Sequence, residues 1–565
     1  MPCLFSAYKY NATAISYNSS PRNTHTHSAI RARHKRTPKK HTQALICPRR
    51  RSRSSPPPAR RKKKGGQRLG IDDALTAHAG EFGRWQLRHF VLVSAAWALE
   101  ALHTMVIIFA DREPAMACAA GDGRCGDRCA AGAAGWEWVD GAASSTVAEW
   151  GLVCGERYKV GLVQAVFFAG CMIGAGVFGH LSDSFLGRKG SLQVVCVLNA
   201  AFGLLTALAP NYWAYAALRL LTGFSTGSVG VLAFVLATEP IGPSRRGTVG
   251  MSTFYFFSGG IAALAGVAAL FPHSWRLLYV VTSLPSIAFV VAVMPFVSES
   301  PRWYLVRRRV DDAMRVIRAI AAANGRHVPD DVTLKLDNED EEEAAGKNGG
   351  GDESPAAATA SGSIVDVFRS RTTRVRLVLS VFINLLTSVV YYGLTLNVVN
   401  LKTNLYVSVV VNSIAEMPAY LLTALLLDHL GRKPLAIGTM LLSGIFCTAG
   451  SLIPGAGVMR VVRMVCGMVG IFGVAATYNL LFIYTAELFP TSVRNAAMGC
   501  ATQAAQMGAI VAPLVVVLGE RVPFAVFGAC GIIGALLVVY LPETMNKPLY
   551  DTMAGMEEGE KSLLK

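Results

Sequence analysis

Between two long apolar runs lies the polar stretch GHLSDSFLGRKG, residues 179–190. A chain that reversed direction inside lipid would leave backbone polar groups without hydrogen-bond partners, so this stretch is expected at a membrane surface. A related stretch, DHLGRKP, occupies residues 428–434 and also lies between apolar runs. Because Asp428 follows Asp183 by 245 residues, the recurrence predicts a chain built from two similar halves.

The composition places the chain among membrane proteins. Hydrophobic residues make up 52% of its 565 residues, charged residues only 16%, and the mean hydropathy is +0.38. The formal net charge of +17 does not indicate nucleic-acid binding, because residues 1–70 hold 18 of the 54 Lys and Arg and no Asp or Glu. The rest of the chain is balanced. We therefore expect a polytopic membrane protein that binds no nucleic acid.

Apolar runs of about membrane-spanning length occur twelve times, in two sets of six. The first set lies within residues 85–300 and the second within residues 375–545. The predicted fold is an all-α membrane protein with two pseudo-symmetric six-helix bundles. The predicted spans are 89–110, 160–181, 191–209, 213–238, 249–271, 276–297, 376–395, 405–427, 434–453, 460–483, 495–517 and 522–541.

The segments outside the two sets are polar. Residues 1–80 are basic and too self-repelling to bury a core, so a disordered tail is expected there. Residues 301–374 are predicted to be a cytoplasmic linker with an amphipathic surface helix near its start, and residues 546–565 a cytoplasmic tail. Lys and Arg cluster in alternate short loops on the side shared by the tail, which predicts that both termini are cytoplasmic.

A polar loop at residues 111–159 contains four cysteines, Cys118, Cys125, Cys129 and Cys154. Four cysteines within one loop indicate two disulfides in an oxidising compartment, with the pairing left open. A metal site is less favoured, because the loop contains no histidine. The loop is thus expected outside the cytoplasm, at either the plasma membrane or the vacuolar membrane.

Three groups of motifs resemble a known family. Residues 179–190 resemble the G-x-L-x-D…G-R-K motif of the major facilitator superfamily, and ESPRW (299–303) with PET (542–544) resembles its sugar-porter-like members. YTAELFPTSVRN (484–495), together with the cysteine loop, is similar to the organic cation/carnitine transporter family. The resemblance covers about residues 85–550 and implies alternating access between two halves. Ser184 and the additional Leu186 depart from the common motif and suggest a plant-type member.

Substrate or coupling residues are sought among polar groups inside the spans. A charge near a helix centre costs at least about 2.5 kcal/mol, so it usually has a partner or a function. Glu100 and Glu416 are the best acids for attracting an organic cation or carrying a proton, and pairing with a polar neighbour is the alternative. Arg219, with Gly223 and Gly227, suggests either proton coupling or helix packing with a local salt bridge.

Aromatic rings can hold amines by cation–π attraction. The candidates are Tyr391, Tyr392, Tyr478, Tyr255 and Phe256, although most aromatic residues at such spacing simply pack between helices. In span eleven, where relatives that carry cations often have an acid and those that carry carnitine or anions often have a base, this chain has Gln506. The sign of the substrate charge therefore does not follow from that position.

Charged residues at the ends of the spans form a separate group of candidates. They could form ion pairs between helices that gate the pathway, pairing in one state and separating in the other; the alternative is static charge that only sets topology. The gating candidates are Asp183, Arg188, Glu239 and Arg246 in the first half, and Asp428, Arg432, Glu487 and Arg494 in the second.

The sequence contains no motif of an enzyme, and neither a cofactor nor a metal is expected. The favoured function is secondary active transport of small organic cations or carnitine-like zwitterions across a lipid bilayer, with a proton or sodium as a possible coupling ion. One alternative is a proton-coupled porter for sugar or another neutral solute. Another is a substrate-sensing receptor on a transporter scaffold.

Overall fold

The computed structural model describes residues 67–118, 129, 136–335, 367–368, 370–401, 403–455, 457–545 and 556. Within these residues, twelve helices are long and apolar enough to cross a membrane, which confirms the predicted fold class. They are α1 (Arg84–Ala110), α2 (Cys154–Asp183), α3 (Gly187–Thr206), α4 (Tyr212–Thr238), α5 (Pro243–Leu270), α6 (Trp275–Phe296), α7 (Arg371–Leu401), α8 (Leu405–Leu427), α9 (Arg432–Leu452), α10 (Met459–Leu488), α11 (Ala496–Val516) and α12 (Val522–Val539).

Shorter elements lie around these helices. Two helices follow α6, at Pro301–Val306 and Val310–Ala323, the second where the amphipathic pattern predicts it. Short helical turns occupy Ile71–Ala74, Leu75–Ala79, Ala142–Ser144 and Thr146–Trp150. The strands are β1 (Gln67–Leu69), β2 (Met116–Cys118), β3 (Trp136–Trp138) and β4 (Val332–Leu334); β1 pairs with β4 in parallel and β2 with β3 antiparallel.

The helices pack in a pattern that repeats. In the first bundle, α1–α6, helix α2 packs on α4, α3 on α4 and α6, and α1 on α5. In the second bundle, α7–α12, the corresponding pairs are α8 on α10, α9 on α10 and α12, and α7 on α11. Helix α2 also packs on α11, and α5 on α8. These two pairs form the main interfaces between the bundles.

Glycines let the helices approach closely. A Cβ added at Gly174 of α2 would lie 1.8 Å from the carbonyl oxygen of Phe224 in α4. A Cβ added at Gly223 of α4 would lie 2.0 Å from the carbonyl oxygen of Phe167 in α2. Small residues at such crossings permit backbone contact between membrane helices. The α2–α4 pair therefore depends on these glycines.

Because successive helices alternate in direction, the bundle has two opposite ends. We call the end with the turns before Gly187 and Gly431 the basic face, and the end with the loop between α1 and α2 the cysteine face. The structure joins Cys129 to Cys154 at the cysteine face. Cys125 and the side chain of Cys118 lie outside the described residues, so the second predicted disulfide is not described.

Residues 67–80 fall within the tail for which the sequence predicts disorder, and here the structure differs. Ile71 and Leu75 are buried against Met314 and Ile317 of the helix after α6. This apolar contact, together with the pairing of β1 with β4, orders the segment before α1. The segment was missed because its apolar residues find their partners more than 200 positions away.

Candidate functional site

A buried carboxylate lies where the two bundles meet in the middle of the molecule. Glu416 of α8 is 1% exposed. Its Oε2 accepts hydrogen bonds from the hydroxyls of Ser258 (2.5 Å), Tyr420 (3.1 Å) and Tyr391 (3.3 Å). Ser258 belongs to α5 in the first bundle, whereas both tyrosines belong to the second. Glu416 thus connects the bundles through three hydroxyl donors, which stabilise a carboxylate away from water.

Aromatic rings surround this carboxylate. Tyr391 stacks on Tyr478 with centroids 5.1 Å apart, and it contacts Tyr392 at 5.3 Å. Tyr392 in turn meets Phe168 of α2 at 4.8 Å. Three of the aromatic candidates from the sequence therefore come together, and we call Phe168, Tyr391, Tyr392, Tyr420 and Tyr478 the aromatic cluster.

The two remaining aromatic candidates, Tyr255 and Phe256, lie in different surroundings. Tyr255 meets Tyr420 at 5.7 Å and so borders the aromatic cluster. Phe256 instead packs edge-on against Phe90 at 6.1 Å, in contact with α1. Adjacent residues of a helix point about 100° apart, and in this helix Tyr255 faces the cluster whereas Phe256 faces α1.

Glu100 of α1 approaches the same cluster from the first bundle. A Cβ on Gly230 of α4 would lie 2.1 Å from its Oε2, so the carboxylate lies against that glycine. This oxygen is buried and has no hydrogen-bond partner among the described residues. Glu100 is also close enough to Tyr392 and Tyr478 to act on them electrostatically. The two predicted acids thus border one aromatic cluster: Glu416 accepts three hydroxyl hydrogen bonds, whereas Oε2 of Glu100 accepts none from the described residues.

Gln506 lies elsewhere, in a small cleft of the second bundle. The cleft is bounded by α7, α10 and α11, and Tyr478 connects it to the aromatic cluster. Its polar lining is uncharged and consists of Asn384, Thr485, Thr502 and Gln506, with Tyr478. Such groups hydrogen-bond a neutral polar group without attracting a charge.

Arg219 is fully buried in α4, but the salt bridge considered for it is not found among the described residues. Its guanidinium lies over the Phe167 ring, 4.1 Å from the centroid, and its Nη1 donates to the His103 carbonyl (3.2 Å). Nε and Nη2 have no hydrogen-bond partner among the described residues. The cation is therefore held by a ring and a carbonyl, with hydrogen-bonding capacity to spare.

A chain of hydroxyls leads from the neighbourhood of Arg219 towards the cysteine face. Tyr279, whose ring lies 5.7 Å from the Arg219 guanidinium, shares a hydrogen bond of 2.8 Å with Tyr215. The Tyr215 hydroxyl donates to Asp111 Oδ1 (2.8 Å), as does Thr146 (2.6 Å). Burial raises the pKa of Asp111 to about 6, although these hydrogen bonds and the charge of Arg219 act in the opposite direction.

At the basic face, a carboxylate closes the start of α3. Glu299 accepts the backbone N–H groups of Arg188 (3.1 Å) and Lys189 (3.1 Å). The side chain of Arg188 contacts Asp183 at 2.7 Å and Glu239 at 3.5 Å. We call this set of five residues the first latch. Helix N-termini attract carboxylates, and Glu299 caps the start of α3 in this way.

The second bundle repeats the arrangement at the start of α9. Glu543 accepts the N–H groups of Arg432 (3.0 Å) and Lys433 (2.9 Å). Arg432 binds Glu487 through Nε (2.9 Å) and Nη2 (3.0 Å), and the Thr544 hydroxyl donates to Glu487 (2.6 Å). We call these five residues the second latch. The described contacts of each latch join residues of one bundle.

Arg246, one of the gating candidates, binds an acid outside that set. Its Nη2 donates to Asp72 (2.7 Å) and to the Ile241 carbonyl (2.9 Å), because the ordered segment before α1 brings Asp72 to the α4–α5 turn. Arg302 binds the same carboxylate. Arg494 donates from Nε to the Phe489 carbonyl (3.4 Å), and the side chain of Asp428 lies outside the described residues.

Several residues of these networks were missed in the sequence. Arg463 of α10 could have been identified from the sequence, because it follows Arg219 by 244 residues, close to the 245 residues between Asp183 and Asp428. Ser258 and Tyr420 were not, because a hydroxyl becomes notable only when a distant carboxylate lies beside it. Asp111 directly follows the first apolar run, and that position was a usable signal.

Comparison with known proteins gives a consistent picture. The family described as "Sugar (and other) transporter" matches residues 137–554. "Organic cation/carnitine transporter 4" of Arabidopsis thaliana is 62% identical over 497 residues, covering 88% of this chain and 93% of that protein. "Organic cation/carnitine transporter 2" of Homo sapiens is 34% identical over 429 residues, covering 75% of this chain and 73% of that protein.

Solved structures are similar in fold. The crystal structure of a D-xylose-proton symporter covers 82% of this chain and 99% of its own, with a TM-score of 0.58 and 16% identity. The inward-open xylose transporter XylE from E. coli covers 84% of this chain and 99% of its own, with a TM-score of 0.57 and 16% identity. At this identity the likeness concerns the arrangement of the helices.

Proposed function

The chain belongs to the organic cation/carnitine transporters within the sugar (and other) transporter family, and we propose that it moves a small organic cation or carnitine-like zwitterion across a membrane. The observation that carries this proposal is the position of Glu416. Its carboxylate lies between the bundles and among aromatic rings, so a cationic group bound there would meet both a negative charge and ring faces. A site shared by two bundles is what alternating access requires.

The proposal is tested by uptake into proteoliposomes. Glu416→Gln keeps the shape of the side chain and removes its charge, so we expect uptake of labelled choline-like cations and carnitine to fall by at least about tenfold, the equivalent of 1.4 kcal/mol. Glu137→Gln, at an exposed acid on β3, is the matched control and should leave uptake unchanged. Full uptake by Glu416→Gln would exclude this carboxylate as the cation site.

The proposed coupling ion is a proton, and Asp111 is its proposed acceptor. The carboxyl lies at the cysteine face, its pKa is raised to about 6, and the hydroxyls of Tyr215 and Tyr279 connect it to the surroundings of Arg219. Uptake should therefore increase as the pH at the cysteine face falls through about 6. Asp111→Asn should remove this dependence. An unchanged pH profile in that variant, or a requirement for sodium, would exclude Asp111 as the acceptor.

We also propose that both termini and the basic face are cytoplasmic, in the plasma membrane or the vacuolar membrane. Arg188, Arg245, Arg307 and Arg432 all lie at the basic face, and the Cys129–Cys154 disulfide lies at the opposite one. Protease protection of a C-terminal tag in isolated plasma-membrane and vacuolar vesicles tests both the orientation and the membrane. Cleavage of the tag from the side of the cysteine loop would reverse the assignment.

A second candidate function is supported by the uncharged cleft. Asn384, Thr485, Thr502 and Gln506 suit the hydroxyls of a neutral solute. If the substrate is a sugar, labelled hexose or xylose should enter the same proteoliposomes, and Gln506→Ala should reduce that uptake. Uptake of cations without any uptake of sugar would exclude this candidate.

A further inference from the structure

Two residues at the end of the first spanning helix reach the second bundle. The Phe109 ring stacks on Tyr406 of α8, with centroids 5.4 Å apart and planes 10° from parallel. Arg112, one turn further on, donates from Nη1 to the Tyr406 hydroxyl (3.4 Å). Because α1 and α8 belong to different bundles, Tyr406 connects the bundles at the cysteine face.

A second contact between bundles lies at the same face. Arg157, at the start of α2, donates from Nη2 to Asn400 Oδ1 at the end of α7 (3.2 Å). Asn400 in turn donates to the Val516 carbonyl of α11 (2.9 Å). Beside them, a Cβ on Gly161 of α2 would lie 2.9 Å from the Pro513 carbonyl oxygen of α11. Helix α2 is thereby held against two helices of the second bundle.

Arg112 is positioned by groups of its own bundle. Its Nη2 donates to the Pro272 carbonyl in the α5–α6 turn (2.7 Å) and to Asp140 in the cysteine loop (3.3 Å). These contacts hold the guanidinium in place from one side and leave Nη1 directed at Tyr406. Asp140 and Pro272 thus position the arginine that makes the contact between bundles.

The ion pairs described at the basic face do not connect the bundles. The ion pairs that the two latches form there each stay within one bundle, as do the bonds of Asp72 to Arg246 and Arg302. Separation of the bundles at the basic face leaves these pairs intact. Separation at the cysteine face must break the contacts of Tyr406 and Asn400.

We propose that Phe109, Arg112 and Tyr406, with Arg157 and Asn400, form the outer gate of the transport pathway, which closes the central site from the cysteine face in this structure. The proposal rests on the transport function proposed above. The described contacts that the gate makes between the bundles are one ring stack and hydrogen bonds from cations to neutral groups. Each is individually modest, so the gate can open and close repeatedly during transport.

Hydrogen exchange measured by mass spectrometry on the full-length purified protein tests the gate without any substrate. Tyr406→Ala removes both the stack and the hydrogen bond, so amides of residues 397–401 and 154–160 should exchange about tenfold faster. Tyr406→Phe keeps the stack and removes only the hydrogen bond, so the same amides should exchange about threefold faster. Amides of residues 310–323, at the basic face, should not change. Tyr540→Ala, at an exposed tyrosine at the end of α12, is the matched control and should have no effect at either face.

Unchanged exchange at the cysteine face in a folded Tyr406→Ala protein would overturn the proposal, and so would equal acceleration at both faces. If that variant does not fold, Tyr406→Phe decides the question by the same criterion, because it removes only the hydrogen bond from Arg112 and keeps the ring stack. The measurement is independent of transport. A protein with no uptake of organic cations but with the expected exchange pattern would contradict the proposed function and leave the gate standing.

Discussion

The two latches have the same backbone plan and different side-chain pairing. In each, a glycine with positive φ, Gly187 (77°) or Gly431 (87°), precedes an arginine whose N–H is bound by a remote glutamate. Arg432 then binds both oxygens of Glu487. Arg188 instead divides its contacts between an Asp183 side chain that is 71% exposed and a distant Glu239. The second bundle is thus the more firmly paired at the basic face.

The buried arginines of α4 and α10 show the same difference. Arg463 binds Glu520 (3.3 Å) and the Ile453 carbonyl (3.2 Å), whereas Arg219 lies over a ring with two nitrogens unpartnered among the described residues. Polar groups left unpaired in the membrane carry a cost that function can explain. We infer that Arg463 stabilises the second bundle, whereas Arg219 of the first bundle is the arginine with nitrogens available for ion coupling.

The largest expected effect comes from the glycine of the second latch. Gly431 has φ 87° and ψ 170°, a conformation that is essentially restricted to glycine. A Cβ there would also lie 2.9 Å from Glu543 Oε2. Gly431→Ala should lower the free energy of unfolding by about 3 kcal/mol, measured by thermal unfolding in detergent, through strain and the displaced carboxylate. Gly438→Ala, where a Cβ meets open space, is the control.

The next effect compares the two arginines directly. Arg432→Gln removes a two-point ion pair and leaves Glu487 without its cation, so a loss of about 2 kcal/mol is expected. Arg188→Gln should cost about half as much, since its contacts are longer or exposed. Thermal unfolding of both variants in the same detergent provides the measurement. Equal losses would remove the asymmetry on which the comparison depends.

A smaller, pH-dependent effect distinguishes the two capping glutamates. Burial raises the pKa of Glu299 despite its N–H donors. Burial acts in the same direction on Glu543, but four backbone N–H groups outweigh it and lower the pKa of Glu543. These donors belong to Met545, Lys433, Arg432 and Thr544. Ionised Glu543 therefore contributes stability above its unfolded pKa, and this is lost as pH falls through its folded pKa. For Glu299 the sign is opposite, and stability increases as pH falls through its raised pKa.

Glu543→Gln should accordingly lower the melting temperature at pH 7 by a few degrees, whereas Glu299→Gln should leave it unchanged or raise it slightly. The difference between the variants should shrink as the pH is lowered towards 4. Melting curves from pH 4 to pH 8 test this. A larger loss at pH 7 for Glu299→Gln than for Glu543→Gln would contradict the assigned directions.

The smallest effect is expected at Asp183. Its side chain is 71% exposed, so the ion pair with Arg188 is screened by water and should contribute less than about 1 kcal/mol. Asp183→Asn should change the melting temperature by about 1 °C or less. If it nevertheless reduces uptake severalfold at full surface expression, the first latch acts in transport rather than in stability, as the gating hypothesis requires.

The sequence was most informative where a signal is local or repeated. Twelve apolar runs and the recurrence of the latch motif were sufficient for the fold, and Glu100 and Glu416 stood out because charges are rare within spans. The hydrogen-bond partners of these residues could not be predicted from a local or repeated signal. The bond from Ser258 to Glu416 joins residues 158 positions apart, and its formation depends on the packing of α5 on α8.

Arg246 shows why a partner could not be predicted from the sequence. The nearest acid in sequence is Glu239, but Arg246 binds Asp72, because the segment before α1 packs on the helix after α6. Four apolar residues of that segment, Ile71, Ala74, Leu75 and Ala79, are buried against the helix after α6, and β1 pairs with β4 beside them. Composition averages over a tail that is mostly basic, and it conceals a short amphipathic stretch at its end.

The pairing of β1 with β4 sets an order of events during synthesis. Gln67 pairs with Val332, so β1 has no partner until six spans and the two helices after α6 have left the ribosome. Until then, the segment before α1 lacks its apolar contacts with the helix after α6. The segment before α1 therefore packs in its final position only after the first bundle is complete, and Asp72 can bind Arg302 only after α6 has formed.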